Sequence, residues 1–212
     1  EYVGDHALHH TNTWLSWGQL DEIIREGKTV LPYDTGYVDA ATYWNDYMLG
    51  QNNRATSGQA SCLVDNVDLQ GRRRLLDLGG GAASYSIALC GANPQLKAVV
   101  VDAKDPLRIA RPLVEASNLM DQITLLEGDF LKMELGNNYD VALISGIVLI
   151  KPEEDCRYLF KVAYDALLPG GMIIVQDYMR IDHSPERERL DTLENMYVMV
   201  AFDPGAGDRK GE

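Results

Sequence analysis

The stretch Leu75-Leu76-Asp77-Leu78-Gly79-Gly80-Gly81-Ala82-Ala83-Ser84 constrains this chain more than any other. An apolar run of strand length enters three glycines and leaves as a helical pattern. Glycines at such a junction let the backbone turn tightly and let a ligand approach the main chain closely. From there onward the chain alternates. Apolar runs recur at 75–78, 98–101, 123–126, 141–144 and 172–175, and helical patterns fill 83–90, 106–117 and 153–168 between them. Strand and helix in alternation predict βαβ units. Continuous apolar strands suit a parallel sheet covered on both faces. Right-handed crossovers then give an α/β fold: a Rossmann-like, doubly wound, mostly parallel sheet whose ligands bind at the carboxyl ends of the strands.

Before residue 72 the pattern is helical. Trp14, Leu15, Leu20, Ile23 and Ile24 recur at three- and four-residue spacing, and Gly27 is a stop signal. A second segment covers roughly 38–49 with Tyr43, Trp44, Tyr47 and Met48, and a third roughly 55–67. The chain thus divides into a helical linker or cap, 1–71, and a sheet domain, 72–212. A last helical pattern, roughly 186–201, precedes a tail rich in glycine and charge.

Composition narrows the partners. Nineteen Lys and Arg against 32 Asp and Glu give a net charge of −13, which repels phosphate backbones and argues against nucleic acid. The longest nearly apolar run, 141–150, is half the roughly 20 residues a membrane-spanning helix needs, so no membrane partner is expected. Cys62, Cys90 and Cys156 are odd in number and widely spaced, the pattern of reduced cysteines in a cytoplasmic protein.

Asp102 closes the second strand, 21 residues after Gly81. An acid at that place accepts hydrogen bonds from ribose hydroxyls. The third strand leads to Gly128-Asp129-Phe130, where an acid beside an aromatic suits an exocyclic amine and a purine face. The fourth ends at Ser145-Gly146. The fifth is introduced by Pro169-Gly170-Gly171, a turn signal, and ends in Gln176-Asp177. Two nucleotide readings compete. A nicotinamide site wants a third glycine where Ser84 stands. A methyl donor such as S-adenosylmethionine has ribose and adenine but no phosphate, and it fits this loop better.

Taken in order, Asp77-Leu78-Gly79-Gly80-Gly81, Asp102, Gly128-Asp129-Phe130 and Leu168-Pro169-Gly170-Gly171 resemble the successive motifs of class I S-adenosylmethionine-dependent methyltransferases. More narrowly, they resemble the small-molecule O-methyltransferases that include the caffeic acid and hydroxyindole enzymes. Trp14-Leu15-Ser16-Trp17-Gly18-Gln19-Leu20 resembles that family's helical linker. Met196-Tyr197-Val198-Met199-Val200 with Gly205 to Arg209 resembles its pocket helix and following loop. The resemblance implies a cofactor, S-adenosylmethionine, held by Asp77, Gly79, Gly81, Asp102, Asp129, Phe130 and Ser145. It implies that Met196 and Met199 face a small-molecule acceptor and that Asp177 supports catalysis. It also implies a homodimer formed through a region outside or at the start of this chain, further residues ahead of Glu1, and two strands beyond the last helix.

The resemblance has departures. Ala83 replaces the loop's last small glycine, a mild change. Leu149 stands where the family carries its base histidine, and a leucine takes no proton. The expected function is methyl transfer to an aromatic or polyketide-like metabolite. The alternatives are a donor-binding enzyme that catalyses something other than methylation, and a non-catalytic binding partner. His183 and the N-terminal histidines are the remaining candidates for a base. His6, His9 and His10 lack the Cys or acid spacing of a metal site and read as a solvated helix start.

Overall fold

A computed structural model describes residues 2–178 and 184–202. Three short helices open the chain: α1 (Gly4–Asn12), α2 (Trp14–Trp17) and α3 (Leu20–Glu26). Gly27, in the left-handed conformation at φ 63°, ends the third, as the sequence predicts. The long helix α4 (Ala40–Arg54) begins where Asp39 accepts a hydrogen bond from the Thr42 N–H at 2.9 Å. It does not stop near residue 49. It continues into a π-helical turn, Ala55–Gln59, and then α5 (Ala60–Asn66), so the second and third predicted segments are joined. Gly58, at φ 134°, absorbs the irregularity. Such π-turns cluster at functional sites, and here Arg54 and Gln59 both reach the main cavity.

The sheet follows: β1 (Arg74–Leu78), α6 (Ser84–Ala92), β2 (Lys97–Asp102), α7 (Lys104–Ala116), β3 (Ile123–Glu127), β4 (Tyr139–Ser145), α8 (Glu153–Ala166), β5 (Leu167–Gln176) and α9 (Pro185–Ala201). Its order is β3-β2-β1-β4-β5, with every pairing parallel. The order reverses at β1, so the glycine loop after β1 sits at the switch point where such sheets bind ligands.

Period-two alternation splits the core between the two faces. Leu75, Val100, Val141 and Leu143 pack under α6 and α7, while Leu76, Leu78, Ala142 and Ile144 pack under α8. The Pro169-Gly170-Gly171 signal is not a turn ahead of the fifth strand. It lies within β5, which pairs irregularly with β4 between Tyr139 and Val141. Gly170 at φ 81° makes that irregularity possible.

Among the described residues no helix is long and apolar enough to cross a membrane. Glu1, His183 and the 205–209 loop lie outside the described residues.

Candidate functional site

One cavity of about 610 Å³ runs from the carboxyl ends of the central strands to the helices α4 and α9. At its sheet end the glycine loop offers backbone to the cavity. Gly79 and Gly81 stand at φ 68° and 54°, values that side chains rarely adopt. A Cβ on Gly79 would also come within 2.6 Å of Ile147, and one on Gly80 within 2.6 Å of both the Asp77 carboxylate and Val100. Neither position therefore has room for a side chain. Ala83, fully buried and left-handed at φ 61°, leads it into α6.

Asp102 closes the same corner. Its two oxygens accept from the Gly81 N–H at 2.8 Å and the Ala103 N–H at 2.7 Å. A carboxylate has about four lone-pair directions, so two remain for a ligand. Burial pushes its pKa up, against the two backbone donors, which pull it down. Asp77 has a different place. It lies beneath the loop, 1% exposed, and accepts a 2.6 Å hydrogen bond from Ser86 Oγ. Burial raises its pKa to about 7.

Phe130, Ser145 and Asp177 all line the cavity. Ser145 Oγ donates to Gln176 Oε1 at 3.2 Å. Asp177 Oδ2 accepts from the N–H groups of Val148 at 2.8 Å and Leu149 at 3.3 Å, and its Oδ1 accepts from Tyr178. It thus holds the short 3₁₀ turn Val148–Ile150 that presents Leu149 to the cavity. Asp129 is exposed and outside the lining. It accepts from the Leu131 N–H and pairs with Lys132 at 2.8 Å. Met196 and Met199 are also outside the lining; Glu194, Tyr197 and Val198 of the same helix take that place.

The helical end is aromatic. Trp44 and Tyr47 of α4 share the lining with Tyr197 and Phe202, with Tyr47 and Phe202 rings 5.4 Å apart at 79°. Met48, Gln51 and Arg54 of α4 line the space above the loop. The Tyr43 hydroxyl donates to the Ala201 carbonyl at 2.8 Å and ties α4 to α9. The sequence showed the aromatic spacing of α4 but not its place. A single helix does not say what its face will meet.

The histidines correct one expectation. His10 is exposed as expected and His6 is half-buried, but His9 is fully buried and its Nε2 lies 2.8 Å from the Tyr197 hydroxyl. Its ring sits edge-on to Tyr43 and Tyr47. Burial first, then the neighbouring histidines, lower its pKa to about 3 and that of His6 to about 4. Among the described residues no set of His, Cys, Asp and Glu side chains is grouped to hold a metal ion.

The chain is 34% identical over 120 residues to L-tyrosine C(3)-methyltransferase of Streptomyces lavendulae, covering 57% of this chain and 33% of that one. It is 34% identical over 137 residues to aclacinomycin 10-hydroxylase of Streptomyces purpurascens, covering 65% and 36%. The chain thus spans about a third of these relatives' length. The fold superposes on human N-acetylserotonin methyltransferase, solved in complex with SAM, with a TM-score of 0.72 at 22% identity, covering 89% of this chain and 57% of that one. The sequence profile of the O-methyltransferase domain matches residues 17–211, and the chain belongs to that family.

Proposed function

We propose that this chain transfers a methyl group from S-adenosylmethionine to a small aromatic or polyketide-like natural product. One observation carries the reading: a single cavity joins the glycine loop and Asp102 to an aromatic chamber. The residues present fit the donor. Gly79 and Gly81 leave room along the backbone, Asp102 has two unused lone pairs for ribose hydroxyls, and Phe130 offers a face to adenine. Asp77 shapes the loop from below rather than touching the ligand. When bound, the donor supplies a sulfonium-activated methyl group. The chain's own contribution is to align the acceptor and exclude water; a neutral acceptor hydroxyl would also need its proton removed.

Leu149 lines the cavity and cannot take that proton. This favours a second reading, in which the donor site serves a reaction other than methylation. The name of the aclacinomycin 10-hydroxylase relative lends it support. We also infer a cytoplasmic homodimer. Trp14, at 72% exposed, and Ile24, at 59%, leave apolar surface on the helical segment 1–71 that a second copy would cover. That segment and the sheet domain 72–212 are read as the two functional parts.

Incubation with isotope-labelled S-adenosylmethionine and a panel of hydroxylated aromatics tests the main reading by mass spectrometry. Labelled product supports it. Tight donor binding with no labelled product from any acceptor favours the second.

A further inference from the structure

The polar group at the aromatic end of the cavity has no role in the reading above. Tyr197 lines both the main cavity and a neighbouring chamber of about 460 Å³. Its hydroxyl meets His9 Nε2, and His9 Nδ1 has no hydrogen-bond partner among the described residues. A buried N–H without an acceptor is the rarer and costlier defect. The fitting tautomer therefore keeps the proton on Nε2, donates it to the Tyr197 oxygen, and leaves Nδ1 with only a lone pair. The Tyr197 O–H is then free to donate into the cavity.

The surroundings keep both groups neutral. His9 is held far below the usual histidine range, and burial raises the Tyr197 pKa above its ordinary value. The titratable groups around the pair are His6 and His10 from α1, Tyr43, Tyr47 and Arg54 from α4, and Glu194 from α9. Arg54 brings positive charge to this end, and among the described residues no carboxylate pairs with it. Its guanidinium donates to the Tyr178 hydroxyl, toward which Glu194 is also turned.

We propose that Tyr197, oriented by His9, donates a hydrogen bond to the acceptor's oxygen, so that the site takes its acceptor as an oxyanion: an acidic phenol or enol of the hydroxy-carbonyl class. The inference rests on the methyl-transfer reading. It accounts for a cavity with leucine at position 149, because an acceptor already ionised leaves no proton to remove. Tyr197 is the catalytic residue here and His9 a positioning residue.

The test uses para-nitrophenol, whose phenol and phenolate forms absorb at different wavelengths. The probe is titrated against pH in complex with the full chain saturated with S-adenosylhomocysteine. The bound probe is expected to ionise at lower pH than the free probe. Tyr197→Phe should raise that midpoint by about one to two pH units, the tenfold to hundredfold loss of one charge-assisted hydrogen bond. His9→Gln, which keeps an N–H donor, should retain the lowered midpoint, and His9→Leu should lose it. The inference is overturned if the probe does not bind, if its bound midpoint is not lowered, or if Tyr197→Phe leaves the midpoint unchanged. Binding of S-adenosylhomocysteine, followed by calorimetry, separates the two failures. Donor-product binding with an unlowered midpoint sinks this inference alone, and no binding sinks the methyl-transfer reading with it.

Discussion

The two ends of the cavity are built by different means. At the sheet end the glycine corner is backbone: a ten-residue stretch sets the turn, and one acid 21 positions later closes it. The helical end is side chains, drawn from α1, α4 and α9, segments up to 188 residues apart. A site made of local backbone geometry depends on residue types that no substitute replaces. A site made of converging side chains depends on how separate elements pack, and it can change its occupants while keeping its frame.

Asp77 tests how far the sheet end depends on one buried acid. Its folded pKa of about 7 lies above the ordinary 3.8, so the unfolded chain ionises it more easily. Between about pH 4 and pH 7 the unfolded state binds fewer protons at this group than the folded state, and stability falls as pH rises through that window. The full loss above it is up to about 4 kcal/mol, at 1.36 kcal/mol per unit. Asp77→Asn removes the titration. Urea denaturation of both proteins at several pH values should show the parent losing stability relative to the variant across the window. Parallel curves would show that Asp77 is solvated in a way its 1% exposure denies.

Asp102→Ala tests the same end through its ligand. It removes the acid expected to accept from the ribose hydroxyls. With charge-assisted bonds at about 1.5–3 kcal/mol, binding of S-adenosylhomocysteine should weaken roughly tenfold to a hundredfold. Calorimetry reads this directly, and unchanged affinity would move the ribose elsewhere.

At the helical end, Tyr43→Phe breaks the bond from α4 to the Ala201 carbonyl. The orphaned acceptor should cost about 1–2 kcal/mol of stability. Because α9 carries Tyr197, acceptor affinity should fall while donor affinity holds. Equal loss of both would mean that the two ends are one mechanical unit, and the contrast between them would be wrong.

The legibility of the sequence follows the same division. The five strands, the glycine loop and Asp102 could be read because each rests on local pattern: apolar runs, glycine at a turn, an acid at a strand end. The joining of α4 to α5 was not readable, because Gly50, Asn52, Asn53 and Gly58 are weak helix formers and read as a break. The resemblance points Met196 and Met199 at the acceptor, whereas Tyr197 and Val198 of the same helix line the cavity. Which face of α9 meets the cavity depends on contacts such as Thr29 Oγ1 with the Met199 and Phe202 carbonyls, 170 and 173 residues away. The burial of His9 is of the same kind. Three histidines on a short helix look solvated until a tyrosine-rich helix packs over one of them.

Ala83 gives the smallest effect and the sharpest reading of how strict the sheet end is. Its left-handed backbone costs a non-glycine residue roughly 1–2 kcal/mol. Ala83→Gly would relieve that cost. It would also release about 0.4–1 kcal/mol of extra freedom to the unfolded chain and expose the space of a fully buried methyl group, worth about 0.8 kcal/mol. The terms nearly cancel. The melting temperature should therefore move by less than about 4 °C, the shift of 1 kcal/mol in a chain of this size, and donor affinity should not change. Thermal unfolding checks the first and calorimetry the second. A larger loss of stability would mean that the methyl group holds the loop against α6, making the alanine a packing residue. Near-neutrality would mean that glycine is demanded only at Gly79 and Gly81, where the backbone faces the cavity, and not at the helix entrance behind them.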